Sequence, residues 1–170
     1  MPKPNKETYP EYFARYINQV PQNDLAAAFE AQQPDINIFF EQIPALKHEY
    51  AYAPGKWTIK EMLQHIIDTE RIFAFRALCF ARGEQQNIPG FEENDYAAAS
   101  HANERSWQSL CDELKTVRRG TQFLFESFSE ADFDKSGSAN GKSVTVLALG
   151  FMTIGHLYHH IGVLKERYLA

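Results

Sequence analysis

The strongest constraint on the fold is a long apolar segment near the C-terminus. Residues 144–154 are apolar almost without interruption, and His156 and His160 follow closely after them. A helix that is apolar all round packs inside a bundle and not on its surface. We therefore predict a buried helix here, with both imidazoles facing the protein interior.

The spacing of these histidines is typical of a metal-binding helix. Residues four apart on an α-helix lie one turn apart on the same face, so His156 and His160 can bind one divalent cation together. His159 leaves a second pair open, because His156 and His159 are three residues apart. We favour His156 and His160, since four is the common chelating spacing. The alternative is a pair of core histidines that are hydrogen-bonded to neighbouring groups.

The composition is that of one globular domain. The chain has 170 residues, of which 44% are hydrophobic and 23% are charged. A chain of this size and composition can bury a single hydrophobic core. We predict one domain over residues 1–170, in which residues 1–22 form an N-terminal extension with a short helix from Tyr9 to Val20.

Charge and hydropathy argue against several classes of function. The net charge is −5 and no stretch is rich in Lys or Arg, so we expect no nucleic-acid partner. The N-terminal residues lack the apolar stretch of a secretory signal, and the longest apolar run is shorter than the roughly 20 residues of a membrane span. Cys79 and Cys111 are expected to be reduced thiols. We therefore expect a cytoplasmic protein that acts on a small molecule and binds no membrane.

Hydrophobic periodicity predicts four long helices. The first runs from Asn23 or Asp24 to about Ile43, with an interruption at Pro34, and the second runs from Thr58 to about Arg82. The third runs from about Asn103 to Ser127, and the fourth begins at Lys142 or Ser143. Thr58 and Glu61 form a capping box at the start of the second helix. Residues 83–100 and 130–142 are predicted to be loops, and no alternating strand pattern is recognised. The predicted fold class is all-α, a four-helix bundle.

A third metal ligand has to come from another helix, because a catalytic zinc-type site combines three protein ligands with one open position. His65 is the best candidate, since it alone lies in the middle of a second strongly apolar helix. His48 precedes that helix and His101 lies near a helix start, where histidines are more often solvated.

Asp68 is the catalytic candidate beside this triad. It follows His65 by three residues and so lies on a neighbouring position of the same helix face. We expect Asp68 either to accept a hydrogen bond from a metal-ligand imidazole or to act on metal-bound water. The alternative is an exposed helix charge or a partner for Arg71. Candidates to line a pocket are Leu149, Met152, Thr153 and Val163, although for the aliphatic ones we favour a place in the core.

Two stretches together resemble the DinB/YfiT-like family. The first covers residues 52–71, with the sequence YAPGKWTIKE followed by LQHIIDTER, and the second covers residues 155–160, GHLYHH, with Glu166, Arg167 and Tyr168 after it. Segments 88–96 and 137–142 are similar as well. The resemblance therefore extends over most of the chain, from about Tyr50 to Tyr168.

This resemblance implies a four-helix bundle that is usually a homodimer. It also implies a divalent metal held by one histidine of the second long helix and two of the fourth, and these positions are His65, His156 and His160 in this sequence. The metal is zinc, nickel, iron or manganese, because histidine ligands alone do not choose between them.

The chemistry implied by the resemblance has more than one form. Relatives such as bacillithiol S-transferases and mycothiol-dependent maleylpyruvate isomerase use a low-molecular-weight thiol as co-substrate, whereas many others are called metal-dependent hydrolases. We expect a metal-dependent enzyme and favour thiol-dependent S-transfer. The alternatives are a hydrolase that uses metal-bound water, and a non-catalytic binding module that keeps the same bundle.

Overall fold

The core of the computed structural model is a bundle of four long helices. The structure describes residues 1–170, except for the side chain of residue 35. The elements are α1 (Ala14–Ile17), α2 (Leu25–Pro34), α3 (Ile59–Ala81), α4 (Glu93–Ala99), α5 (Trp107–Glu126), α6 (Glu130–Phe133), β1 (Ser136–Ala139), β2 (Lys142–Thr145) and α7 (Val146–Val163). Helices α2, α3, α5 and α7 form the bundle, which confirms the predicted all-α class.

The long helices begin where side-chain oxygens can accept hydrogen bonds from free backbone amides. At the start of α3, Thr58 Oγ1 accepts from the Glu61 amide at 3.1 Å and the Glu61 carboxylate accepts from the Thr58 amide at 2.7 Å. The predicted capping box is therefore confirmed. Ser106 caps α5 and Thr145 caps α7 in the same way, each with its hydroxyl oxygen.

Helix α7 is the central element of the bundle. Two buried apolar clusters lie along it, one containing Phe151 and the other containing Leu157. From Val146 to Tyr168 the mean hydropathy reaches 1.2, a value that would suit a membrane span, but 78% of this apolar window is buried inside the bundle. Such burial is typical of a core helix.

A buried polar network connects all four long helices. The Arg118 guanidinium of α5 donates two parallel hydrogen bonds to the Glu70 carboxylate of α3, at 2.8 and 2.9 Å. It also donates to the Gln32 side-chain oxygen of α2, and the Gln32 amide donates to the Ile154 carbonyl of α7 at 2.9 Å. Arg118, Glu70 and Gln32 are 1%, 3% and 0% exposed. Each helix is thereby fixed at one depth relative to the others.

The backbone of α1 lies directly against α7. A Cβ atom added at Gly155 would be 2.1 Å from the Tyr16 carbonyl oxygen, a distance that no side chain tolerates. Glycine at position 155 therefore permits this close approach. As a result the N-terminal segment packs on the bundle, although the helix within it is shorter than the predicted Tyr9–Val20 and covers only Ala14–Ile17.

The prediction of a loop over residues 130–142 was wrong. This stretch contains α6, and strands β1 and β2 form an antiparallel hairpin in which Ala139 pairs with Lys142. Asn140 and Gly141 form its two-residue turn with φ angles of 51° and 70°, as a type I′ turn requires. Lys142 and Ser143, which were expected to open the last helix, lie in β2 instead.

Three further differences concern element boundaries. The predicted loop over residues 83–100 contains the short helix α4. The third long helix begins at Trp107 and not near Asn103. After Pro34, helix α2 continues as a π-helical turn over Asp35–Phe39. This change of helix type lies close to the interruption that was predicted at Pro34. Proline has no N–H group to continue the α-helical hydrogen-bond ladder.

Replacing Glu70 tests the buried network. Glu70→Gln leaves the Arg118 charge buried without its carboxylate, so we expect the free energy of unfolding to fall by about 3–5 kcal/mol. Glu113→Gln is the matched control, because Glu113 pairs with Arg71 and Arg105 nearer the surface and its loss should cost about 1 kcal/mol or less. Urea unfolding followed by circular dichroism measures both. Equal losses in the two variants would contradict the structural role of the network.

Replacing Gly155 tests the contact between α1 and α7. In Gly155→Ala the new methyl group collides with the Tyr16 backbone, and overpacking of this kind costs about 1–3 kcal/mol. Gly162→Ala is the control on the same helix, since nothing lies within 4 Å of a Cβ at that position. There we expect a gain of roughly 0.5–1 kcal/mol from helix propensity. Thermal unfolding in which both variants gain stability would show that α1 does not pack as described.

Candidate metal centre

Three imidazoles converge in the interior of the bundle. His65 comes from α3, and His156 and His160 come from α7. The Nε2 atom of His156 lies 3.2 Å from Nε2 of His65 and 3.0 Å from Nε2 of His160. One ligand nitrogen from each ring lies within 4.8 Å of the others. The three side chains that the sequence grouped together are therefore neighbours in space.

Hydrogen bonding among the rings alone does not account for this arrangement. A neutral imidazole nitrogen offers either one hydrogen or one lone pair, so Nε2 of His156 cannot bond fully to both neighbours at once. Tetrahedral zinc with Zn–N distances of about 2.0–2.1 Å separates its ligand nitrogens by about 3.3 Å. The observed separations of 3.0 and 3.2 Å are close to that value. The donor set thus fits a divalent cation.

Burial keeps all three rings neutral, which is the form that binds metal. Their exposed fractions are 5%, 4% and 8%. Loss of hydration lowers the pKa of His65 to about 4, with a smaller contribution from the charge of His159. Burial first, and then the neighbouring histidines, lowers the pKa of His156 and of His160 well below 6.5. Each ring therefore keeps a lone pair on one of its two nitrogens throughout the neutral range.

Aromatic side chains surround the triad. Trp57 packs on His65 with 4.7 Å between ring centroids, and Tyr16 and Phe73 pack edge-on against His156 at 5.3 and 6.0 Å. These contacts leave little of the imidazole surface exposed. Nδ1 of His160 is buried and finds no hydrogen-bond partner among the described side chains.

The other histidines lie outside this cluster. His159 is half-buried, and its ring packs on Tyr16. The structure therefore brings His65 together with the pair His156 and His160 and not with the pair His156 and His159. His48 stacks on Trp107, and His101 is exposed beside Glu104.

Asp68 belongs to a polar group at the edge of the bundle. Its carboxylate accepts a hydrogen bond from the Gln64 amide at 2.9 Å and lies 3.7 Å from Arg71. Burial raises the pKa of Asp68, while the Gln64 hydrogen bond and the Arg71 charge oppose that change. The pairing with Arg71 that the sequence offered as an alternative is present. A catalytic role for Asp68 stays a prediction.

A cavity of about 360 Å³ reaches the triad at His156. Its walls come from the N-terminal segment, from α3, from α7, from the hairpin and from the stretch that includes Phe91. Its lining includes Tyr16, Thr69, Phe73, Arg76, Glu93, Lys142 and Met152. Of the four pocket positions expected from the sequence, Leu149 and Met152 line this cavity. The Thr153 hydroxyl instead donates to the Leu149 carbonyl, and Val163 borders a separate surface depression.

Thr69 and Arg76 were missed in the sequence, although helical periodicity could have found them. They follow His65 by four and eleven residues, and both positions lie on the same face of a helix with 3.6 residues per turn. Tyr16 and Lys142 carry no such signal, because only the tertiary fold brings their segments to the cavity.

Comparisons with known proteins agree with this architecture. YfiT from Bacillus subtilis, described as a proposed metal-dependent hydrolase with an unusual four-helix bundle topology, superposes with a TM-score of 0.70 at 14% sequence identity. The superposition covers 96% of this chain and 90% of that one. At such low identity the likeness concerns the fold.

A Bacillus licheniformis protein, named as a proposed metal-dependent hydrolase, is 24% identical over 116 residues. The match spans 67% of this chain and 66% of the relative, slightly less than two thirds of its length. Residues 28–164 match the family model described as the DinB superfamily. Because this stretch covers most of the 170 residues, the chain belongs to the DinB superfamily.

Proposed function

We propose that this chain is a metal-dependent enzyme in which His65, His156 and His160 hold one divalent cation. The observation that carries the proposal is the convergence of three buried, neutral Nε2 atoms at the end of a cavity. The named function of the two relatives, metal-dependent hydrolysis, supports a metal at such a site. Zinc, nickel, iron and manganese all suit three imidazoles.

The reaction that we favour is transfer of a low-molecular-weight thiol to an electrophilic substrate. A divalent cation held by His65, His156 and His160 would stabilise the deprotonated form of a thiol or of water. In thiol transfer, a sulfur–carbon bond forms while the bond from carbon to the leaving group breaks, and the thiol proton passes to solvent. The chain itself positions the reactants between the aromatic walls of the cavity.

The placement of acidic groups supports thiol transfer over hydrolysis. Hydrolysis by metal-bound water is usually assisted by a carboxylate that acts as general base. Asp68 is engaged by Gln64 and Arg71, and Glu93, the acid among the cavity-lining residues, is exposed. A thiol needs no such base once its pKa is lowered. Hydrolysis stays the second candidate because both relatives carry that name.

Metal content tests the site. Elemental analysis of untagged wild-type protein should give about one equivalent of metal, and His160→Ala should give none, because it removes one of three ligands. His159→Ala is the matched control, since it removes the neighbouring imidazole that lies outside the cluster, and should retain the metal. Added zinc should raise the melting temperature of the wild type and of His159→Ala, but not that of His160→Ala.

A wild-type protein that stays metal-free after reconstitution would contradict the proposal. The three histidines would then be core residues, and the non-catalytic binding module would become the better account of the chain.

The two candidate reactions separate in a paired assay. With zinc-loaded wild type, we expect consumption of 1-chloro-2,4-dinitrobenzene that requires an added low-molecular-weight thiol, and no hydrolysis of p-nitrophenyl acetate in the absence of thiol. His160→Ala should lose the thiol-dependent reaction. Ester hydrolysis without thiol that disappears in His160→Ala would instead establish the hydrolase. Absorbance of the conjugate and of p-nitrophenol measures both reactions.

A further inference from the structure

The cavity contains a buried arginine whose charge the protein does not neutralise. Arg76 is 6% exposed and lines the cavity from α3. Its Nη2 donates to the Pro89 carbonyl at 3.1 Å, whereas its Nε is buried and has no hydrogen-bond partner among the described residues. No acidic side chain among the described residues forms an ion pair with it. Burial is accordingly the cause that lowers the pKa of Arg76.

A guanidinium in this position is costly for folding. Charged groups are rarely buried unless they are paired, because the lost hydration has to be replaced. The same protein shows the usual solution at Arg118, which is bound by Glu70 and Gln32. Arg76 therefore differs from Arg118 in lacking an anion, and its side chain borders a cavity.

Thr69 provides a second unsatisfied polar group on the same wall. Its hydroxyl is buried and has no hydrogen-bond partner among the described residues. Thr69 and Arg76 are seven residues apart on α3, so about 10 Å of helix separates them. His65 lies one further turn from Thr69. The wall thus runs from the histidine triad, past Thr69, to Arg76.

The surface between these polar groups is apolar. Phe73 lies between Thr69 and Arg76 on α3, and Met152 lines the cavity from α7. At the rim, the hairpin residue Lys142 is positive and the α4 residue Glu93 is negative, and both are exposed. These rim charges offset each other, so Arg76 determines the charge of the interior.

We propose that this cavity is an acceptor site for a small substrate that carries a carboxylate. The carboxylate binds Arg76, the apolar body lies against Phe73 and Met152, and the reactive end points towards His156. A carboxylate suits the guanidinium because its two oxygens match the planar N–H donors. This assignment rests on the proposed function for the identity of the reactive end, whereas the carboxylate subsite itself needs no metal.

Binding of a matched pair of probes tests the subsite. The probes are 4-phenylbutyrate and its neutral amide, 4-phenylbutanamide, titrated calorimetrically into metal-free and zinc-loaded protein. We expect wild type to bind the carboxylate roughly tenfold more tightly than the amide, because a buried charge-assisted hydrogen bond favours the anion. The preference should be present in both preparations.

Two variants of Arg76 and one control assign the preference. Arg76→Met should bind both probes equally, with the affinity for the amide unchanged, and Arg76→Lys should retain part of the preference. Arg82→Met removes the same charge from the exposed end of α3 and should behave as wild type.

Stability separates binding from a structural role. If Arg76 only held the Pro89 carbonyl, its replacement would lower the melting temperature. We expect Arg76→Met to keep or raise it, because the variant removes an unpaired buried cation.

Three results would overturn the subsite: equal affinities in wild type, no binding of the carboxylate, or a preference that persists in Arg76→Met. The metal-free protein decides between these results, because a zinc ion at the histidines also binds carboxylates. A protein that binds no metal but prefers the carboxylate would refute the metal proposal and support the subsite. A protein that binds metal but does not prefer the carboxylate would support the metal proposal and refute the subsite.

Discussion

The relative position of the four long helices depends on one buried cation. Burying Arg118 without partners would cost too much free energy. Its hydrogen bonds require Glu70 from α3 and Gln32 from α2 at one depth of the bundle. Gln32 in turn donates to the carbonyl of Ile154 on α7. Glu70 follows His65 by five residues, and Ile154 precedes His156 by two. The geometry that satisfies the arginine therefore also brings histidines from two helices to the same level of the bundle.

Two buried arginines on adjacent helices illustrate different uses of the same side chain. Each guanidinium nitrogen of Arg118 donates a hydrogen bond within the protein, and these bonds connect the helices. Arg76 donates to the Pro89 carbonyl, but its Nε has no hydrogen-bond partner and no carboxylate pairs with it among the described residues. Buried polar groups without hydrogen-bond partners are expected at functional sites, where stability is lower than it would be with every group paired. Nε2 of His156, which lies beside the Nε2 atoms of His65 and His160, follows the same pattern.

The sequence was most informative where a signal is local or periodic. The capping box at Thr58 and the face shared by His156 and His160 depend on residues a few positions apart. The position of His65 in the middle of a second apolar helix indicated their partner, and the family resemblance implied the same residue. The hairpin was missed although its Asn140–Gly141 turn is a strong local signal, because the polar residues around it were interpreted as a loop. The cavity could not be predicted, since its walls come from segments far apart in the chain that meet only after folding.

The N-terminal wall of the cavity has a consequence for how this fold can diversify. Tyr12, Phe13 and Tyr16 line the cavity but precede residue 28, where the match to the family model begins. The triad lies within the matched stretch, on α3 and α7. Replacing the residues before α2 would therefore change one wall of the cavity without replacing a histidine of the triad. The opposite wall, which includes Arg76 and Met152, belongs to the matched stretch.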